Sequence, residues 1–294
     1  MAYELLGKIM ERYLALKTIV ETGTFTAAAE KLGYTQPALS QNIAALEAEL
    51  GLVLLNRSRG GAGLSADGEE IYPYVLKLLN AGESLRHKAR EMQGLENSVI
   101  RVGAFTSISI YWLPQLMKGF MELYPNVEFE ISTGDDRVNE ELIKNGEIDF
   151  GFVTETPSMD LPHRIICENS LDVVLPVGHP LAGKKTVKIE DLKDEPLINN
   201  ESGPSSEPLE MFEERGITPN VKYVLENDEA VLSMVEAGLG VSILSEVSIE
   251  NTNRDVLSRR LSPPLKRVTT IAYRDEKLLP LAARKFIDYI IENL

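Results

Sequence analysis

The chain is poor in the residues that build disulfides and metal sites. Its 294 residues include one cysteine, Cys167, and three histidines far apart in sequence, His87, His163 and His179. A lone cysteine cannot form a disulfide within the chain, and scattered histidines form no metal-ligand cluster. We therefore expect no metal and no other cofactor, with Cys167 as a buried apolar side chain and a redox-sensing thiol as the alternative.

The chain also lacks long apolar runs and any surplus of positive charge. No stretch is long or apolar enough for a membrane-spanning helix, and the N-terminus has no signal-peptide pattern. We therefore expect the protein to be located in the cytoplasm. The formal net charge is −15, but residues 1–65 hold six basic and six acidic residues. Residues 99–294 hold 20 basic and 33 acidic residues, so the negative charge lies mainly in the C-terminal two thirds.

Residues 25–51, FTAAAEKLGYTQPALSQNIAALEAELG, carry the most informative pattern. Thr24 or Thr26 can cap a first helix, and Leu32-Gly33 ends that helix with the residue suited to a left-handed conformation. Thr35 can cap a second helix, and Pro37 fits its first turn. Two short helices joined by a glycine turn predict a helix-turn-helix.

The second helix has one apolar and one polar face. The apolar stripe consists of Leu39, Ile43, Leu46 and Leu50. The opposite face carries Gln36, Ser40, Gln41 and Asn42, and such side chains match the donors and acceptors of base edges in a major groove. A helical hairpin packed within its own protein shows the same two faces, so this pattern alone leaves both interpretations open.

A glycine-rich segment with two arginines follows the hairpin. Residues 54–65, LLNRSRGGAGLS, predict a tight β-hairpin similar to the wing of a winged helix. Its arginines can contact phosphates or a minor groove. The predicted DNA-contacting residues are Thr35, Gln36, Pro37, Ser40, Gln41, Arg57 and Arg59.

The order of hairpin, wing, long helix and α/β region resembles the LysR-type transcriptional regulators. The motifs that carry the resemblance are Phe25-Thr26-x-Ala28-Ala29-x-x-Leu32, then Gln36-Pro37-Ala38-Leu39-Ser40 and Leu46-Glu47. The resemblance implies a bacterial, non-enzymatic regulator that binds double-stranded DNA and senses a small-molecule effector in a two-lobed domain. In two departures, Asn42, Ala44 and Ala45 stand where the family often has basic residues, and a few extra residues precede the first helix, with Met10 as an alternative start.

This resemblance implies an overall α/β chain with three parts. Residues 1–65 are the expected winged helix-turn-helix, 66–95 the linker and dimerisation helix, and 99–294 the effector-binding domain. Lobe I would comprise about 99–167 and 268–294, and lobe II about 170–265, as in a type 2 periplasmic-binding-protein fold. The chain would cross between the lobes near residues 167–170 and 265–268, forming a hinge.

The expected linker helix has an apolar seam with alternating steps of four and three residues. Its members are Ile71, Val75, Leu78, Gly82, Leu85, Ala89 and Met92, and Pro73 should bend the helix near its start. The seam either packs on its own domain or pairs two subunits, and the resemblance favours a homodimer, with a homotetramer left open. A two-fold pair predicts an inverted-repeat operator with half-sites about one helical turn apart.

From residue 99 onward, short strands alternate with helices. Strands at 99–103, 127–131 and 148–153 with helices at 108–123 and 137–145 predict a parallel βαβαβ unit. A second run has strands at 171–175, 197–198, 221–225 and 241–244 with helices at 208–215 and 228–237. A strand at 268–273 and a helix at 281–291 complete the chain.

Polar residues follow several of these strands, and ligands of parallel sheets bind at the carboxyl ends of strands. The predicted effector-binding residues are Thr106, Ser107, Thr133, Thr154, Asn200 and Ser202. Serine and threonine also cap helices, so for each residue a capping role is the alternative. Asp135, Asp136 and Glu201 near the same loops leave the charge of the ligand open.

Two other classes of function compete with a regulator. A solute-binding protein with an N-terminal extension fits the two-lobed region but not the arginine-bearing wing. An enzyme fits poorly, because no acid and base pair or nucleophile with a partner converges at the predicted loops. Residues 178–185 approach a phosphate-binding loop, but Lys185 stands where magnesium would need a hydroxyl.

Overall fold

The structure, a computed structural model, describes residues 2–58, 61–91, 98–156, 159–200 and 207–294. The chain divides into two compact units, Met1–Lys88 and Ala89–Leu294. Within the described ranges, no helix has both the length and the apolar character needed to cross a membrane.

The first unit consists of helices and one hairpin. Its elements in chain order are α1 (Ala2–Thr22), α2 (Phe25–Leu32), α3 (Gln36–Leu50), β1 (Leu55–Ser58), β2 (Gly61–Leu64) and α4 (Ala66–Glu91), which continues beyond the unit boundary. The hydroxyl of Thr24 accepts the N–H of Ala27 at 3.1 Å, so Thr24 caps α2. Gly33 ends α2 at φ 70°, in the left-handed region, and Thr35 caps α3.

The predicted stripe of α3 forms the centre of this unit. Leu39, Ile43 and Leu46 are completely buried against the small residues of α2 and the apolar face of α1. Leu50 is only half-buried, because it is the last residue of α3 and lies at the margin of the core. The close approach of α2 explains the run of alanines at 27–29.

The start of α4 is fixed to the segment that precedes the wing. The hydroxyl of Ser65 accepts the N–H of Gly68 at 2.9 Å and donates to the carbonyl of Val53. The carbonyl of Leu54 accepts the N–H of Ser65 at 3.0 Å. A side chain at Gly68 would place its Cβ 2.1 Å from that same carbonyl oxygen, so the close approach requires glycine.

The apolar seam of α4 divides between two environments. Ile71 and Val75 pack into the core of the first unit, as the alternative interpretation of this helix predicts. Leu78 and Leu85 are 44% and 72% exposed, so the residues that the structure describes leave these two seam positions largely uncovered. The helix continues through Pro73, and Met92 lies outside the described residues.

The second unit is built on a seven-stranded mixed sheet. Its strands are β3 (Val99–Ala104), β4 (Glu128–Thr133), β5 (Phe150–Thr154), β6 (His163–Pro176), β7 (Thr186–Lys188), β10 (Ser242–Ser245) and β11 (Val256–Ala272), with β8 (Leu197–Asn200) and β9 (Val221–Leu225) as a separate parallel pair. The order is β10-β6-β11-β5-β3-β4, and β7 also pairs with β11. Strand β3 is parallel to β4 and β5, which confirms the predicted βαβαβ unit.

The described part of the second unit contains seven α-helices. They are α5 (Thr106–Tyr111), α6 (Leu113–Leu123), α7 (Asp136–Asn145), α8 (Glu207–Glu213), α9 (Asp228–Glu236), α10 (Glu246–Glu250) and α11 (Leu281–Asn293). The prediction of one helix over 108–123 is wrong, since the chain breaks at Trp112 between α5 and α6. Pro114 explains the break, because it lies in the first turn of α6 and has no N–H to continue α5.

Strands β6 and β11 are much longer than the segments 171–175 and 268–273 predicted for them. They pair antiparallel over most of their length, with Cys167 opposite Thr269 and Asn169 opposite Arg267. The two segments predicted to cross between the lobes, 167–170 and 265–268, are adjacent stretches of one strand pair. Each strand supplies the backbone partners of the other, so both segments are extended.

An aromatic cluster forms the core beside α6 and α11. The ring of Phe286 lies 4.9 Å from Phe120 and 4.9 Å from Phe129, measured between centroids, and 6.2 Å from Phe150. Phe286 is completely buried. The cluster fastens the C-terminal helix onto the sheet that carries β3, β4 and β5.

Candidate functional sites

The first candidate site is the exposed face of α3. Thr35, Gln36, Pro37 and Gln41 are exposed, and Ser40 is half-buried. Because Leu39, Ile43 and Leu46 fix the opposite face in the core, these side chains project from a rigid helix. Gln36 and Gln41 therefore present amide donors and acceptors to solvent.

The β1–β2 hairpin stands beside this helix within the first unit. Arg57 lies opposite Ala62 in the hairpin register, while Arg59 lies outside the described residues. The N–H of Ala62 donates to the carbonyl of Gly23 at 2.7 Å, which ties the hairpin to the end of α1. Glu47 accepts the N–H groups of Leu54 and Leu55 at 2.8 and 3.2 Å and so fixes the approach to β1.

Several cations of the first unit are already paired with acids. Arg12 contacts Glu49 at 2.9 Å, and Lys31 contacts Glu21 at 3.2 Å. Helix α3 itself contains no lysine or arginine. The described side chains of this unit therefore offer little unpaired positive charge for phosphates, and the affinity that phosphate contacts give to one copy of the unit should be low.

The second candidate site is a cavity of about 430 Å³ in the second unit. Its walls come from the segments that follow β3 and β4, from the paired strands β6 and β11, and from the ends of β8 and β10. Thr106, Ser107, Thr133 and Asn200 all line it. The structure thus brings four of the six predicted effector-binding residues to one cavity.

The other two predicted residues are not among those that line the cavity. Thr154 is buried and is not part of the cavity wall; its N–H donates to Oδ1 of Asp136 at 2.5 Å. Ser202 lies outside the described residues. Thr154 follows a strand as Thr133 does, but its polar groups are used to hold the start of α7.

An ion pair that the sequence did not predict occupies the wall of the cavity. Arg267 on β11 donates from Nε and Nη2 to the two carboxylate oxygens of Glu207, at 2.8 and 2.6 Å. Burial raises the pKa of Glu207, but the hydrogen bond and charge of Arg267 outweigh it and leave that pKa below its usual value. Burial lowers the pKa of Arg267. The nearby carboxylates of Glu207, Asp136 and Asp228 raise it by more, so this pKa lies above its usual value.

Two further carboxylates surround the same guanidinium. Asp228 accepts hydrogen bonds from the amide of Asn200 and the hydroxyl of Ser248, yet burial raises its pKa above the ordinary value. Burial raises the pKa of Asp136 to about 6, against the opposing effects of Thr154 and Arg267. Arg267 therefore lies among three acids.

Four further residues line the cavity that no sequence pattern indicated: Trp112, Glu207, Asp228 and Arg267. Arg267 and Glu207 are 60 residues apart, so no local pattern joins them. The one available signal was the position of Arg267 inside the predicted crossing at 265–268.

Cys167, which was expected to be buried, is half-buried. Its sulfur accepts a hydrogen bond from the amide of Asn169, and burial raises the pKa of its thiol.

The raised pKa of Asp136 predicts a pH-dependent contribution to stability. The folded protein binds this proton more tightly than the unfolded chain, whose aspartates titrate near 3.8. Its stabilising contribution is therefore complete below that value and is lost as pH rises through about 6. Replacing Asp136 with asparagine removes the effect, so the stability difference, wild type minus variant, should fall by roughly 1–3 kcal/mol between about pH 4 and about pH 7.

Urea unfolding followed by the fluorescence of Trp112, the single tryptophan, measures this difference in the second unit. Asp194→Asn is the matched control, because Asp194 is an exposed carboxylate that pairs, among the described residues, with the adjacent Lys193. A difference that stays constant or grows with pH would contradict the assignment.

Two family models match the chain, one in each of its two units. Residues 10–69 match the family described as bacterial regulatory helix-turn-helix protein, lysR family, and residues 93–294 match the LysR substrate binding domain. The chain is 33% identical to the uncharacterized HTH-type transcriptional regulator YvbU of Bacillus subtilis, over 92% of this chain and 93% of that protein. It is 29% identical to the HTH-type transcriptional activator CmpR of Synechocystis, over 97% and 95% of the two chains.

A solved structure shares the fold along nearly the whole chain. The crystal structure of full-length CbnR complexed with its target DNA superposes with a TM-score of 0.72 at 23% identity, covering 97% of this chain and 99% of that one. The relatives are transcriptional regulators and not solute-binding proteins, so the competing interpretation is set aside. The chain belongs to the LysR family of DNA-binding transcriptional regulators, with an N-terminal helix-turn-helix domain and a C-terminal effector-binding domain.

Proposed function

We propose that this chain regulates transcription by coupling a small molecule in the 430 Å³ cavity to the DNA contacts of α3 and the wing. The observation that carries the proposal is the cavity itself. It gathers hydroxyl, amide and charged groups in the second unit of a chain whose first unit is a winged helix-turn-helix. The proposal includes no catalytic step, and it places the protein in the cytoplasm, where bacterial DNA is found.

We assign the DNA contacts by chemistry and exposure. Gln36 and Gln41 read base edges, and Thr35, Pro37 and Ser40 at the start of α3 lie against the backbone of the same groove. Arg57 and Arg59 of the wing contact phosphates or the minor groove. The paired cations of the first unit make the contribution of each wing arginine proportionally larger.

A single winged helix-turn-helix with so few free cations should bind DNA weakly, so we propose that two chains act together. The exposed seam residues Leu78 and Leu85 of α4 are suited to pairing with the same helix of a second copy. Two linked winged helix-turn-helix units gain affinity from their high effective concentration. An inverted repeat with half-sites about one turn apart is the operator that fits such a pair, whether dimers act alone or assemble further.

We place the effector at the side chains of Thr106, Ser107, Thr133 and Asn200, with Ser202 as a further candidate. Thr154 contributes indirectly by holding Asp136. We assign DNA binding to residues 1–65, the linker and dimerisation helix to 66–95, and effector binding to 99–294. Within the effector-binding domain, lobe I comprises about 99–167 and 268–294, and lobe II about 170–265. A ligand that binds two arrangements of these lobes unequally shifts the population between them, and this shift changes the DNA contacts of the pair.

Two substitutions separate base reading from backbone contact. Gln41→Ala should cost about 1–3 kcal/mol on the chain's own operator and little on unrelated DNA. Arg57→Ala should weaken binding to every duplex and reduce the salt dependence by about one phosphate contact. Fluorescence anisotropy with the promoter beside the gene, over a series of salt concentrations, measures both effects.

Gln115→Ala is the matched control, because Gln115 is an exposed glutamine on α6 of the second unit. It should leave DNA affinity unchanged. Equal losses for Gln41→Ala on operator and unrelated DNA would remove Gln41 from base reading, and a wild-type chain that bound no duplex would refute the regulator itself.

A further inference from the structure

The cavity of the second unit carries more negative than positive charge. Among the described residues, its ionisable wall groups comprise four carboxylates and two guanidinium groups. These are Asp135, Glu207, Glu226 and Asp228, with Arg137 and Arg267. Glu226 and Arg137 are exposed at the rim, so their charges are largely screened by water.

The charged groups inside the cavity, away from its rim, are also more negative than positive. Arg267 is the one cation among the described inner residues, and it is committed to Glu207 through two hydrogen bonds. Asp136 and Asp228 add their charges to the same neighbourhood. An incoming anion would face this negative field and would have to displace Glu207 to obtain the two-pronged hydrogen bonding of Arg267.

Asp228 retains capacity for a further partner. Among the described residues, its two oxygens accept one hydrogen bond each, from Asn200 and Ser248, while an ionised carboxylate offers about four acceptor positions. Burial raises the pKa of Asp228, and its hydrogen bonds and the charge of Arg267 offset this effect only in part. A cation bound beside it would supply that compensation.

The remaining wall is apolar and aromatic. Phe105 and Trp112 line the cavity from the side of α5, and Leu171, Ile243 and Val247 line it from β6, β10 and α10. Aromatic rings attract cations through their electron-rich faces, and tryptophan does so most strongly. Carboxylates combined with aromatic side chains are the chemistry of a site for an organic cation.

We propose that the effector carries a cationic group, an ammonium or a guanidinium, on an apolar body, and that Asp228 is the carboxylate that binds the cation. This inference rests on the proposed function of the cavity and specifies the class of ligand. The hydroxyls of Thr106, Ser107 and Thr133 can hold a second polar group of the same molecule, so an amino acid with a cationic side chain falls within the class.

Matched probes test the sign of the ligand charge on the full-length chain. Isothermal titration at neutral pH and physiological ionic strength compares 2-phenylethylamine and pentylamine with 3-phenylpropionate and hexanoate, which have similar bodies and opposite charge. The amines should bind at least about tenfold more tightly than the matched acids, as expected for a charge-assisted hydrogen bond. Asp228→Asn should weaken amine binding by about tenfold, and Asp194→Asn should leave it unchanged.

Glu226→Gln keeps the test decisive if Asp228→Asn folds poorly. Glu226 is exposed at the rim, so its replacement leaves the core intact and should weaken amine binding by about twofold through charge alone. Acids that bind as tightly as the amines, or no amine binding up to about 10 mM, overturn the inference. Tight binding of an acid together with intact operator binding overturns only the ligand class, whereas loss of operator binding by the wild-type chain overturns the regulator.

Discussion

Replacing Phe286 with alanine should lower the free energy of unfolding of the second unit by about 3–5 kcal/mol. Phe286 is completely buried, and its ring contacts those of Phe120, Phe129 and Phe150 at once. Truncation removes the transfer free energy of the ring and leaves a cavity that three other rings cannot fill without leaving their own positions. The C-terminal helix α11 would lose the largest of its buried side chains.

The measurement is urea unfolding of the full chain, followed by the fluorescence of Trp112. Because the chain has one tryptophan and it lies in the second unit, the signal reports that unit without interference from the first. Phe286→Leu is the matched control and should cost about 1–2 kcal/mol, since it keeps most of the apolar volume. A loss below about 1 kcal/mol for the alanine variant would show that the cluster does not hold α11.

Replacing Gly68 with alanine should destabilise the first unit by about 1–3 kcal/mol and abolish specific DNA binding. The new Cβ would lie 2.1 Å from the carbonyl oxygen of Leu54, which already accepts the N–H of Ser65. Backbone must move to relieve this clash, and the segment that moves leads directly into β1. The wing and the start of α4 would therefore shift together.

Gly183→Ala is the matched control. Gly183 lies in the second unit, and a Cβ at this position would meet no described atom within 4 Å. Thermal unfolding followed by far-ultraviolet circular dichroism and operator binding by anisotropy should therefore show a loss for Gly68→Ala and none for Gly183→Ala. Equal operator affinity for the two variants would contradict the role given to the contact between Gly68 and Leu54.

The parts of the fold that follow from local chemistry could be predicted from the sequence. The caps of α2 and α3 depend on a hydroxyl three residues before an N–H, and the end of α2 depends on Gly33. The stripe of α3 and the βαβαβ unit follow from periodicity. The break at Trp112 was also visible in principle, because Pro114 stands two residues later.

The features that depend on distant partners could not be predicted. The length of β6 and β11 is set by their pairing across about 100 residues of sequence, with Cys167 opposite Thr269. The ion pair of Arg267 and Glu207 and the hydrogen bonds of Asp228 arise from the same long-range packing. Thr106 and Thr133 lie at the carboxyl ends of strands and line the cavity, as predicted. Thr154 also lies at the end of a strand, but it binds Asp136 and does not line the cavity.

The side-by-side course of β6 and β11 restricts how the second unit can rearrange. Sliding one strand along the other would break the backbone hydrogen bonds of the whole ladder, whereas twisting the pair as a ribbon keeps them. The pair is therefore stiff against shear and soft in torsion. Any rearrangement of the cavity should accordingly be a rotation about a single axis along this ribbon, and Arg267, which lies on it, would move least.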